Sequence, residues 1–142
     1  MAKMQEDLTA IWPEAGFLTQ FVGGGQVAKV SPQETSVVPA WRDSLFLMIA
    51  AIEWDDDTPY AQQLDFQKRL TKSVDRLREI TPGGGTYQSE ADPNEPDWQQ
   101  SFFGANYTRL RAIKDKYDPH DIITYRRCVG SEDWDEDMMC RS

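Results

Sequence analysis

Several short stretches of this 142-residue chain carry residue types that can do chemistry. Gly23-Gly24-Gly25 would cradle a phosphate if a helix began directly after it. The next residues, Gln26 to Val30, alternate like a strand, so the triplet reads as a turn. Asp55-Asp56-Asp57 offers hard oxygen donors for a metal. Adjacent carboxylates do not converge on one point, and Asp57-Thr58-Pro59 reads instead as the capped start of a helix. His120 is the single histidine, set in an Asp-Pro turn with no second group for metal or proton work. Cys128 and Cys140 lack the spacing of a zinc site and read as free thiols. Asn106-Tyr107-Thr108 has the form of a glycosylation acceptor, but it falls inside a predicted helix and no secretion signal is visible. Glu90, taken alone, is a loop carboxylate, and such groups are commonly solvated.

The elements that would position these groups follow from periodicity and punctuation. Residues 3–12 read as a short helix ended by Trp12-Pro13. Residues 16–22 read as a strand. Residues 44–54, SLFLMIAAIEW, form a nearly continuous apolar run that fits a buried strand, although periodicity alone fits a helix as well. Alternation places Phe46, Met48, Ala50 and Ile52 on one face and Leu45, Leu47, Ile49 and Ala51 on the other. A helix is expected from Asp57 to about Ile80, with Leu64, Leu70, Val74 and Leu77 facing the core. Thr81-Pro82-Gly83-Gly84-Gly85 stops it. A second long helix is expected from Pro96-Asp97 to Tyr117, with Trp98, Phe102, Leu110, Ile113 and Tyr117 as its apolar stripe. Arg109, Arg111, Lys114 and Lys116 read as its solvated face, and Asp118-Pro119 closes it. The chain leaves through an acidic exit around Trp134.

Composition narrows the function classes. The net charge is -9, which argues against nucleic acid, a ligand that needs clustered cations. Hydrophobic residues make up 39% of the chain and there are five tryptophans, so a disordered chain is not expected. No apolar run has the length of a membrane span, and Met1 is not followed by the apolar core of a signal peptide. A cytoplasmic location is the default on those grounds.

From Gly84 onward the chain carries Gly84-Gly85-Thr86-Tyr87, Glu90-Ala91-Asp92-Pro93, Glu95-Pro96-Asp97-Trp98-Gln99, Phe102-Phe103-Gly104, Asn106-Tyr107, Lys116-Tyr117-Asp118-Pro119 and Val129-Gly130-Ser131-Glu132-Asp133-Trp134. In these residues it resembles the C-terminal part of the berberine bridge enzyme-like oxidases, flavin-linked oxidoreductases of the vanillyl-alcohol-oxidase superfamily. Gly23-Gly24-Gly25-Gln26-Val27 and Pro39-Ala40-Trp41-Arg42 extend the resemblance upstream. Glu-Ala-Asp-Pro and the terminal Val-Gly-Ser-Glu are most similar to the fungal secondary-metabolism branch. Nothing in the chain resembles the family's N-terminal flavin-binding domain.

The resemblance implies an α+β fold, with antiparallel strands from a partial substrate domain packed with two long helices and followed by the berberine-like segment. It implies three regions: a partial substrate-binding domain over 1–82, the berberine-like segment over 83–134 and an acidic flexible tail over 135–142. It places Tyr87 and Glu90 as catalytic residues, with Glu90 as the general base that takes a substrate proton while FAD accepts a hydride. It places Ser89, Asn106 and Tyr107 at the cofactor. Ser89 stands where the family has asparagine, and the stretch after Asp118-Pro119 lacks the family's glycine and Leu-Phe. The implied ligands are FAD in the parent family, not held by this chain alone, and a small-molecule substrate. The implied partner is a flavin-domain chain or a second copy. The implied function is part of an FAD-dependent oxidoreductase acting on a secondary metabolite. A cofactor-free binding or cyclase module derived from that fold is the alternative, and a remnant without activity is a third possibility.

Overall fold

A computed structural model describes residues 16–141. The expected helix over 3–12 lies outside the described residues. The architecture is α+β, and it divides into two compact units that are not consecutive in sequence. Residues 16–22 and 45–84 make the first, and residues 23–44 and 85–141 make the second.

In the first unit, β1 (Gly16–Phe21) pairs antiparallel with β2 (Phe46–Ala51). The register runs from Gly16 opposite Ala51 to Phe21 opposite Phe46. Directly opposed residues share a face. Phe17, Thr19 and Phe21 therefore lie with Phe46, Met48 and Ala50, while Leu18 and Gln20 lie with Ile49 and Leu47. The apolar run was expected to be a buried strand, yet no residue of β2 is buried. Among the described residues the sheet has two strands, each with one edge unpaired, and Phe21 is 83% exposed.

The long helix α1 spans Tyr60–Ile80 and packs against β2. It begins later than Asp57, and no side chain caps it in the way proposed for Asp57. Pro59 takes the cap position, its carbonyl accepts the Gln62 and Gln63 amides, and the Gln63 side chain bonds the Thr58 carbonyl at 2.8 Å. The expected core residues Leu64, Leu70, Val74 and Leu77 are half-buried, while Ser73 is the fully buried one. Ser73 falls on the same helical face as Leu70 and Leu77, and its hydroxyl is satisfied by the Leu70 carbonyl at 2.8 Å. The ring of Trp54 stacks on Phe66 with centroids 6.3 Å apart.

The second unit begins with the irregular stretch 23–44. Its residues 27–29 form a 3₁₀ turn, not the strand expected over 26–30. Gly24 and Gly25 both take positive φ, which coils the chain, and the Arg42 guanidinium holds the Val27 carbonyl at 3.2 Å. Two further 3₁₀ turns follow at Pro32–Glu34 and Pro39–Arg42.

The second long helix is broken. Helix α2 covers Trp98–Phe103, a 3₁₀ turn covers Gly104–Asn106, and α3 covers Tyr107–Tyr117. Gly104 causes the break, with φ 55° and ψ -141°. The break changes the phase of the apolar stripe. Trp98, Phe102 and Phe103 form the core, with Ala91, Tyr107, Leu110 and Val129 packed against them. Ile113 and Tyr117, expected on the same stripe, are exposed. A side chain at Gly104 would place its Cβ 3.0 Å from Pro39 Cδ. Gly104→Ala combines that contact with a backbone region favoured by glycine. It is expected to lower stability by about 1–3 kcal/mol, read as an earlier midpoint in urea unfolding.

Candidate functional site

Thr86 to Glu90 is held from several sides within the second unit. Gly85 leads in through a close approach, since a Cβ there would stand 3.0 Å from both Ala40 Cβ and Val38 Cγ2. The Thr86 amide donates to the Ser101 carbonyl at 2.8 Å, and the two hydroxyls meet at 2.8 Å. Tyr87 lies with its ring centroid 5.8 Å from that of Trp41. Gln88–Glu90 then forms a 3₁₀ turn, where the sequence had suggested the end of a strand. The turn directs Tyr87 and Glu90 outward, and both are exposed. Among the described residues, the Glu90 carboxylate and the Ser89 hydroxyl have no hydrogen-bond partner.

Asn106 and Tyr107 have their polar groups committed inside the unit. The buried Asn106 amide donates to the carbonyls of Pro32, Thr35 and Val37 at 3.2, 3.4 and 3.0 Å. It pins the 32–37 loop to the break between the helices. The Tyr107 hydroxyl donates to the Glu132 carboxylate at 2.5 Å and accepts the Gly130 amide at 3.3 Å. Burial, then the Glu132 carboxylate, pushes the Tyr107 phenol above its ordinary pKa, so it stays protonated. Its ring also meets those of Trp98 and Phe103, at 5.6 and 5.7 Å.

The cations of α3 do more than face solvent. Arg111 binds Asp115, Glu132 and Asp133, with the Asp133 contact at 2.6 Å. Lys114 pairs with Asp118 and lies 3.5 Å from Asp121. Arg141 reaches Asp121 at 2.5 Å. The Asp133 hydrogen bond drives the Arg111 pKa upward. For Lys114, burial opposes the charge, but Asp118 and Asp121 outweigh it and the pKa rises. The acidic exit folds back onto the helix, a pairing that the opposite charges of residues 111–116 and 132–137 signal in hindsight. Residues 135–141, which fall in the expected tail over 135–142, close into a loop. Trp134 bridges Arg141, and the Asp135 carboxylate accepts the amides of Met139 and Cys140. Both cysteines are free, Cys128 buried and Cys140 exposed.

This network sets an acid limit. Lys114 leads in holding Asp118 down to about 2, and Arg111 leads in lowering Asp133. Unfolded aspartates titrate near pH ~3.9. The stability these pairs contribute is therefore complete above about pH 4 and lost as pH falls toward about 2. Urea midpoints measured across that window should fall with pH, and Asp118→Asn should flatten the slope.

The residues thus positioned coincide with a known family segment. Residues 86–127 match the family model described as "Berberine and berberine like". An uncharacterized FAD-linked oxidoreductase of Arthroderma benhamiae is 36% identical over 137 residues, 96% of this chain and 23% of that protein. The chain belongs to the berberine bridge enzyme-like family. FAD-linked oxidoreductase patO of Penicillium expansum is 43% identical over 70% of this chain and 18% of its own length. The crystal structure of the VAO-type flavoprotein MtVAO713 from Myceliophthora thermophila C1 superposes with a TM-score of 0.79 at 33% identity, over 84% of this chain and 21% of that one. A berberine bridge enzyme-like protein of Physcomitrella patens shares the fold, with a TM-score of 0.74 at 20% identity. The chain spans about a fifth of the length of the curated relatives it matches. This berberine bridge enzyme-like chain has relatives that are FAD-linked and fungal. No helix among the described residues is long and apolar enough to cross a membrane.

Proposed function

We propose that this chain is the C-terminal portion of an FAD-dependent oxidoreductase acting on a secondary metabolite, with the flavin held outside these 142 residues, by a flavin-domain chain or by a further part of the same protein. The observation that carries the reading is the Tyr87–Glu90 turn. It lies inside the family-matched segment, rests on a fixed platform and presents a phenol and a carboxylate outward. Tyr87, Ser89 and Glu90 fit one wall of a flavin site, because the Ser89 hydroxyl is uncommitted and the two flanking side chains are open. A bound flavin would supply the hydride acceptor. Glu90 takes the substrate proton at its carboxylate, and Tyr87 orients the substrate through its ring and hydroxyl. Glu90 is exposed in this chain, so the desolvation that tunes a carboxylate toward neutral pH must come from the covering partner. The exposed aromatics Tyr87 and Tyr125, both in the second unit, offer apolar surface for such a cover.

The internal engagement of Asn106 and Tyr107 favours a second reading. These two side chains serve the fold, and a cofactor-free binding or cyclase module would need only positioning by the turn. A pull-down from the source cell with this chain as bait separates the two. The first reading expects a partner with bound flavin, and a soluble monomer without one contradicts it.

A further inference from the structure

The turn at 88–90 is too short to hold itself. Its two backbone bonds, Glu90 to Tyr87 at 3.1 Å and Ala91 to Gln88 at 3.3 Å, amount to a single 3₁₀ turn, and isolated turns of that length are marginal. The Thr86–Ser101 contacts fix only the residue before Tyr87. From within the turn, Gln88 reaches the other side of the unit. Its Nε2 donates to the Tyr125 hydroxyl at 3.1 Å and to the Arg127 carbonyl at 3.3 Å, across 37 and 39 residues of sequence. The far end is itself constrained. Arg127 sits at φ 65°, its Nε donates to the Pro93 carbonyl at 3.3 Å, and its guanidinium lies 5.9 Å from the Trp98 ring.

We propose that Gln88 is the positioning residue of this site, and that it brings Tyr125 into the site. The inference rests on the reading of Tyr87 and Glu90 as the reactive pair. Gln88 Nε2 can only donate, so the Tyr125 oxygen is the acceptor and its own proton stays available. Tyr125 is half exposed, and that proton is free for an acceptor on a bound substrate. The site then holds three oxygen functions: the Glu90 carboxylate as proton acceptor, and the Tyr87 and Tyr125 hydroxyls as donors. Gln88 touches none of the reacting atoms and acts by fixing where the three groups stand.

The test is backbone and ring relaxation by NMR on the full chain, in wild type, Gln88→Ala and Gln88→Glu. The second variant keeps the size of the side chain and loses the donor. In wild type, Glu90 should show an order parameter of about 0.85, and in both variants it should fall below about 0.6. The Tyr125 ring should gain mobility in parallel. Thr86 should stay rigid and the thermal midpoint nearly unchanged, which separates positioning from general destabilisation. A Glu90 already mobile in wild type, or one that stays rigid in both variants, overturns the proposal. The readout needs no flavin, so it can fail while the oxidase reading stands. That reading can in turn fail at Glu90→Gln while Gln88 still orders the turn.

Discussion

Glu90→Gln, placed in the flavin-bearing assembly of this chain, should slow anaerobic flavin reduction by roughly 10²–10⁴-fold, the usual contribution of a positioned general base. The substitution keeps the shape of the side chain and removes its basicity. Glu90 is exposed, and among the described residues its carboxylate makes no contact that the amide would break. The change in stability should therefore stay within about 0.5 kcal/mol, as for ordinary surface positions. Flavin content should be unchanged. A rate within twofold of wild type removes Glu90 as the base and leaves the platform with a purely structural role.

Phe102→Ala should unfold the second unit or bring it to the edge of unfolding. Phe102 is 5% exposed and clusters with Trp98 and Phe103, with the Phe103 ring 6.2 Å away. Truncating a buried phenylalanine costs about 3–5 kcal/mol, against a total near 5–15 kcal/mol for a domain. The core has few other large side chains to close the gap. A loss of more than about 10 °C in the thermal midpoint is expected, or no cooperative transition at all. Ile113→Ala is the matched control. It belonged to the same predicted stripe, but it is exposed, so its effect should be small.

That contrast shows what periodicity could and could not convey. The long helix after Pro59 and the aromatic core at 98–103 were legible because each rests on a local pattern, whereas the strand at 46–51 and its antiparallel pairing came through the family resemblance. The break at Gly104 was not, since one glycine inside an otherwise helical pattern is often tolerated. Gly104 combines a positive φ with a close approach to Pro39, a residue far away in sequence. Ser73 escaped notice because a hydroxyl bonded to its own helix can lie on an apolar face. The 26–30 segment alternates like a strand but coils, because Gly24 and Gly25 set its direction and Arg42 holds its carbonyl from afar. At the candidate site, Tyr87 and Glu90 were visible only through the family resemblance. Gln88 and Tyr125 carry no local signal, and they meet only when the return segment folds over the turn. Arg111 looked solvated because two of its acidic partners, Glu132 and Asp133, lie some twenty residues onward.

This chain is proposed to work as part of a flavin enzyme. The most direct measurement is an absorption spectrum taken in line with size-exclusion chromatography, on protein purified gently from its own source. Flavin absorption should co-elute with this chain at a mass larger than its own. A colourless, folded species at the mass of the single chain would contradict the claim.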